Sequence, residues 1–145
     1  MSVSGGGAIR FELPAGLVGF AELKQFELGA DSGAEPFLLL RSMEPEQIEF
    51  VAIRPEGIVP DYRVELSDED AAELGLSADG PEALVLVIAT IRSWEPQRVT
   101  ANLVAPIVVN RGRGLGKQVV LTNYQKYSTA YPLIDEGAEE AVAPC

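Results

Sequence analysis

The stretch Thr100-Ala101-Asn102-Leu103-Val104-Ala105-Pro106-Ile107-Val108-Val109-Asn110 has the apolar content of a buried strand. Yet it carries a proline in its middle and an asparagine toward each end. In a regular strand alternate residues share a face. Ala101, Leu103, Ala105, Ile107 and Val109 then form one wholly apolar face, and Asn102 and Asn110 fall on the mixed face with Val104 and Val108. On that reading neither asparagine needs deep burial, and each escapes the roughly 1–3 kcal/mol cost of an unsatisfied buried polar group. Pro106 lacks an N–H, so it belongs at a sheet edge or a bulge, and a bulge would turn Val108 rather than Ile107 inward. We therefore expect Pro106 to mark an edge or bulge, with Asn102 tying a neighbouring loop to it. Such an edge could accept an added strand, or could simply be capped against aggregation.

Outward from this stretch the chain reads as short strands separated by Gly, Pro, Asp and Ser clusters. Ile9, Phe11 and Leu13 alternate with Arg10 and Glu12, and further strand-like runs are 24–28, 37–41, 48–53, 62–66, 84–91 and 118–122. One helix is legible near 68–74. Ser67 caps it, Asp70 stands three residues on in a box-like pattern, acidic residues fill the first turn, and Gly75 stops it. Many strands and a single short helix predict an all-β fold with minor α, a partly open antiparallel barrel or sandwich. The expected organisation is a flexible arm over 1–7, one β domain over 8–133 and an acidic, mobile tail over 134–145.

The 145 residues suffice for one domain. With 47% hydrophobic residues and a mean hydropathy of +0.12, the chain is too apolar to be disordered. Its longest apolar run, 83–89, is too short to span a bilayer. The start MSVSGGGAIR has no basic and apolar leader pattern, so the expected location is cytoplasmic, without membrane attachment. Eleven basic against 22 acidic side chains give a net charge of −11, which disfavours direct nucleic-acid binding and attracts basic partners.

Catalytic options are narrow because the chain has no histidine and a single cysteine, Cys145. That removes the usual general base, the triads built on it and most zinc sites. No catalytic residue, cofactor or metal is therefore expected, although an enzyme working with paired carboxylates stays open. The 112–118 stretch, GRGLGKQ, invites a phosphate-loop reading, but Arg111 stands where the first glycine belongs and Gln118 replaces Ser or Thr. It reads as a hairpin loop, with Arg111, Arg113 and Lys117 either solvated or facing an acidic surface.

Four blocks in order, PAGLVGF, PFLLLRS, PDYRVELSDEDAAELGL and TANLVAPIVVNRGRGLGKQVVL, together resemble the flagellar assembly factor FliW family over about 11–133. The chain departs from the family pattern at Arg41, where glutamine is usual, and at Tyr131, where histidine is usual. The resemblance implies a partly closed β barrel and a non-catalytic binding protein, expected to be a monomer. Its implied partners are flagellin and the translational regulator CsrA. Released from flagellin, such a factor is expected to bind CsrA away from its RNA-contacting surface and relieve repression of flagellin translation. That is allostery, and it requires tighter binding to RNA-free than to RNA-bound CsrA. Tyr62, Asn102, Asn110 and Gln118 recur in the matching blocks and are the candidate partner-binding residues, with hydrogen bonding inside the fold as the alternative for each. A chaperone or adaptor for another export substrate is a further reading.

Overall fold

The computed structural model describes residues 9–29, 37–44, 47–56, 58–76 and 83–135. They form strands β1 (Ile9–Glu12), β2 (Gln25–Gly29), β3 (Leu38–Glu44) and β4 (Glu49–Ile53), then helix α1 (Asp68–Leu74). β5 (Ala83–Trp94), β6 (Gln97–Ala101), β7 (Ile107–Asn110), β8 (Leu115–Gln118) and β9 (Tyr131–Asp135) follow. Hydrogen-bonded neighbours run β4-β3-β2-β1-β8-β7-β5, and β5 pairs back onto β4, so these seven strands close a barrel. β6 and β9 extend the sheet from β5. Pairing is antiparallel except where β1 meets β8 in parallel, at Glu12 opposite Leu115. The barrel expected from the strand pattern is thus present, with its ring closed.

Alternation places the core. Phe11, Phe26, Leu28, Leu40, Leu86, Ile107 and Val109 come from strands around the ring and are at most 3% exposed. Each such burial is worth about 1.5–3 kcal/mol. Gly116 faces the same interior, where an added Cβ would lie 2.9 Å from a Val109 methyl and 3.0 Å from one of Leu13. Only glycine lets β8 approach that closely.

The 99–110 stretch is two strands, not one. β6 pairs with the far half of β5 and β7 with its start, and between Ala89 opposite Ala101 and Leu86 opposite Ile107 the facing chain is three residues longer. The surplus forms a break over 102–106, and Pro106 ends it. Pro106 is therefore at a bulge-like break and not at an edge, because β7 is paired on both sides, with β5 and β8. The end of the sheet is β9, which holds Pro132.

The phase does not flip as a simple bulge would make it, since Ile107 and Val109 face the barrel interior. Val108 is equally buried on the opposite side, against Leu74, Val119 and Leu121. α1 supplies that second cover. Asn110 shares the Val108 face and is only 4% exposed, which corrects the expectation that neither asparagine is deeply buried.

Helix α1 forms as its sequence dictates. Ser67 Oγ accepts from the Asp70 N–H at 3.0 Å, and Gly75 turns left-handed at φ 72° to donate back to the helix. Its buried residue is Leu74. Other strand expectations shift. The 62–66 run is irregular, held by Thr122 N–H to Glu65 O at 3.1 Å and not by a ladder. Of the 112–118 stretch only 112–114 are turn, β8 begins at Leu115, and 119–122 leave the strand. β9 is a strand that the alternation did not reveal. It runs two residues into the segment read as tail. The rest of that tail and the 1–7 arm lie outside the described residues.

Candidate partner-binding site

Three of the four candidate residues meet at the 102–106 break. Asn102 Oδ1 accepts from the Val104 and Ala105 N–H groups at 3.0 and 3.3 Å, so it closes its own bend instead of tying a neighbouring loop. The ties to neighbours come from the other two. Tyr62 Oη donates to Leu103 O at 2.6 Å, and Gln118 Nε2 donates to Ala105 O at 3.1 Å. Main-chain bonds finish the bend: Leu103 N–H to Ser128 O at 2.9 Å, Leu121 N–H to Val104 O at 3.1 Å, and Val119 N–H to Pro106 O at 2.9 Å. The polar groups that leave the ladder in this break are thus taken up one by one.

Tyr62 is half-buried and packs edge-on against Tyr127 at a ring distance of 4.8 Å. Burial, with a smaller contribution from Tyr127, holds its phenol well above the ordinary tyrosine range. Tyr127 Oη in turn accepts from the Arg63 N–H at 2.8 Å, locking the irregular 62–66 segment over the break.

Asn110 stands apart from this cluster. Its Nδ2 donates to Leu74 O at 2.8 Å, at the end of α1, and its Oδ1 accepts from the Gly112 N–H at 3.0 Å. One buried amide therefore satisfies an orphan helix carbonyl and shapes the β7–β8 turn. On the same side Lys117 Nζ donates to Asp70 at 2.6 Å and Glu73 at 2.8 Å. The hydrogen bond to Asp70 is the main reason its pKa is raised. Arg113 lies against Gly75, close enough that a Cβ there would be 2.6 Å from its guanidinium carbon. A cation at the helix C-terminus complements the dipole. Of the three basic residues in the 111–117 stretch, Lys117 thus faces an acidic surface, that of α1.

None of the four predicted residues presents a free polar group as its main feature. What stands out to solvent is apolar. Gln118 Oε1 accepts from the Val18 N–H at 2.8 Å, fixing a tight turn whose Leu17 is buried while Val18 is 76% exposed. Past Gln118, Val119 and Leu121 face inward and Val120 is 59% exposed. Trp94, 71% exposed, marks the β5–β6 turn. Sequence reading missed Val18 because its glycine-rich turn has no period. Val120 was accessible from the alternation of 118–122. The departure at Arg41 also finds a place: its guanidinium bonds Glu49, its partner in register on β4, at 2.9 Å.

Among the described residues no group of three or more His, Cys, Asp or Glu side chains could hold a metal ion. Nor is any described helix long and apolar enough to cross a membrane.

The FliW protein family model matches residues 6–133. A flagellar assembly factor FliW of Natranaerobius thermophilus is 34% identical over 128 residues, covering 88% of this chain and 83% of the relative. Those of Geobacter sulfurreducens and Geobacillus kaustophilus are 36% and 38% identical, covering 87% and 88% of this chain and 77% and 85% of the relatives. A crystal structure of the flagellar assembly factor FliW superposes with a TM-score of 0.76 at 35% identity, over 88% of this chain and 87% of that one. With the family model matching across 6–133 and relatives and a solved structure agreeing over most of its length, the chain belongs to the FliW family of flagellar assembly factors.

Proposed function

We propose that this chain is a non-catalytic, cytoplasmic binding factor that holds flagellin and, once released, binds and antagonises CsrA. The observation that carries this reading is the family match across 6–133 at 33–38% identity to relatives named as flagellar assembly factors. The absence of histidine and the net charge of −11 support it, since an acidic surface suits a basic RNA-binding regulator. Antagonism follows by linkage: tighter binding to RNA-free CsrA weakens RNA binding by the same factor.

The partner surface in this reading is the apolar pair Val18 and Val120, which flank Gln118. Gln118 acts by holding the Val18 turn in place, and Tyr62 and Asn102 by holding the break that Gln118 grips. Asn110 contributes through the helix end.

Calorimetric titration against flagellin and against CsrA from the same organism, followed by competition, tests the function. Binding to both with mutual exclusion is expected. Val18→Asp and Val120→Asp, at exposed positions, are expected to weaken at least one partner by about tenfold or more without loss of fold. Absence of binding to either partner at micromolar concentration refutes the reading.

A further inference from the structure

β4 and β7 both pair with β5, and the residues that leave them, Arg54 and Arg111, stand on either side of the start of β5. Between them lies a cavity of about 290 Å³. Its lining combines these two arginines and Glu56 with apolar Val59, Val64 and Leu84. Neither arginine has a carboxylate within ion-pair distance among the described residues. Two guanidinium groups that line one cavity, neither held by a carboxylate among the described residues, are placed to receive an anion together.

The lining also narrows the chemistry. A guanidinium fork matches the two oxygens of a carboxylate. Glu56 leaves the lining with one net positive charge, which suits a monoanion better than a phosphate dianion. The valine and leucine walls suit an aliphatic group next to the charge, and a volume of about 290 Å³ is ample for one. We propose that this cavity binds a carboxylate carried on a short aliphatic group, with the oxygens on Arg54 and Arg111 and the aliphatic part against Val59 and Val64. Two sources share that chemistry, a free aliphatic acid and the C-terminal residue of a peptide chain. The proposal does not rest on the identity of the protein partners.

The test is a chemical-shift titration of the full chain with isovalerate, with acetyl-Leu-Leu bearing a free C-terminus, with the same peptide as its amide, and with inorganic phosphate. Shifts are expected at Val59 and Val64 with at least one carboxylate, and the amide is expected to bind about tenfold or more weakly than the peptide acid, if the peptide is the ligand. Saturation by isovalerate alone assigns a small acid, and tighter binding of the peptide acid assigns a chain end. Arg54→Gln and Arg111→Gln change exposed side chains and should each weaken the carboxylate about tenfold while leaving the far-UV circular dichroism unchanged. The proposal is overturned by any of four results: no shift at Val59 and Val64 with either carboxylate at millimolar concentration, a peptide that binds equally well as acid and as amide, tighter binding of phosphate than of both carboxylates, or undiminished binding in both arginine variants.

Discussion

Replacing Asn110 by alanine should remove a side chain that joins β7 to the end of α1 and to the 111–114 turn. Leu74 is 1% exposed, so losing the 2.8 Å bond from Nδ2 leaves its carbonyl buried and unpaired, at about 1–3 kcal/mol. The Gly112 N–H loses Oδ1 but lies in an exposed turn where water can replace it, adding at most about 1 kcal/mol. The 3.5 Å approach to Gly75 O is too long to count. Asn110→Ala should therefore cost about 1–4 kcal/mol, and the middle of that range lowers the urea midpoint by about one to two molar.

Asn110→Asp gives a sharper test, because it keeps the acceptor for Gly112 and replaces the donor with an oxygen facing the negative end of the helix. Burial and that negative end both raise the folded-state pKa of the new carboxyl above its unfolded value of about 4. Stability tied to the protonated acid is then present below the unfolded value and lost as pH rises through the folded one. At neutral pH the aspartate variant should be less stable than the alanine variant, by roughly a further 1 kcal/mol. As pH falls toward about 4 it should recover relative to wild type, since the protonated acid can donate to Leu74 O, and the alanine variant should not. Urea unfolding followed by circular dichroism at several pH values measures both, and amide exchange in 68–74 locates the damage. A cost below about 0.5 kcal/mol for Asn110→Ala, or an aspartate variant without this pH dependence, would refute the reasoning.

Gln118→Ala removes the bonds to Val18 N–H and Ala105 O; the Val18 N–H can turn to water, so a loss of about 1 kcal/mol in urea unfolding is expected, together with a larger loss of partner affinity by calorimetry. Tyr62→Phe keeps the ring against Tyr127 but loses the bond to Leu103 O, and should cost about 1–2 kcal/mol at neutral pH. Because the raised Tyr62 pKa makes the folded chain hold a proton that the unfolded chain releases above about pH 10, wild-type stability should fall there and the gap to Tyr62→Phe should narrow in alkaline unfolding curves. Lys117→Met should lose about 0.5–1 kcal/mol, since the ion pairs are partly exposed, and a cost that does not shrink between low and high salt would contradict an electrostatic origin.

Local chemistry made much of the fold legible. Ser67 and Gly75 bracket α1 because capping is decided within a few residues, and the period of two in β1 and β2 is visible because one face of each meets the barrel core. What escaped depends on contacts distant in sequence. Asn110 could not be read as buried, since its partner is the end of a helix 36 residues earlier. β9 was hidden because Pro132 and a register shift against β6 interrupt its alternation. The 62–66 run has a strand's composition, but its partners are a tyrosine hydroxyl, an asparagine side chain and isolated main-chain groups instead of a strand.

The strand break explains why polar residues that recur in the matching blocks need not mark an interface. A chain with three surplus residues opposite β5 must bend, and a bend inside a barrel wall exposes N–H and C=O groups that the ladder would have paired. Asn102, Tyr62 and Gln118 answer groups within that bend, so their residue types are fixed by the fold before any partner arrives. Gln118 alone links the two levels. With one end it holds Ala105 in the wall, and with the other it sets the turn that carries Val18 to the surface. A substitution there that preserves the amide but lengthens its reach is unavailable among the natural residues. Glutamate keeps the acceptor for Val18 and loses the donor to Ala105. Gln118→Glu should therefore keep the Val18 turn while loosening the break, and Gln118→Ala should release both. If partner affinity follows the turn, as the placement of Val18 implies, the glutamate variant will bind nearly as wild type despite its lower stability. Equal loss of affinity in both variants would instead place the partner on the break itself.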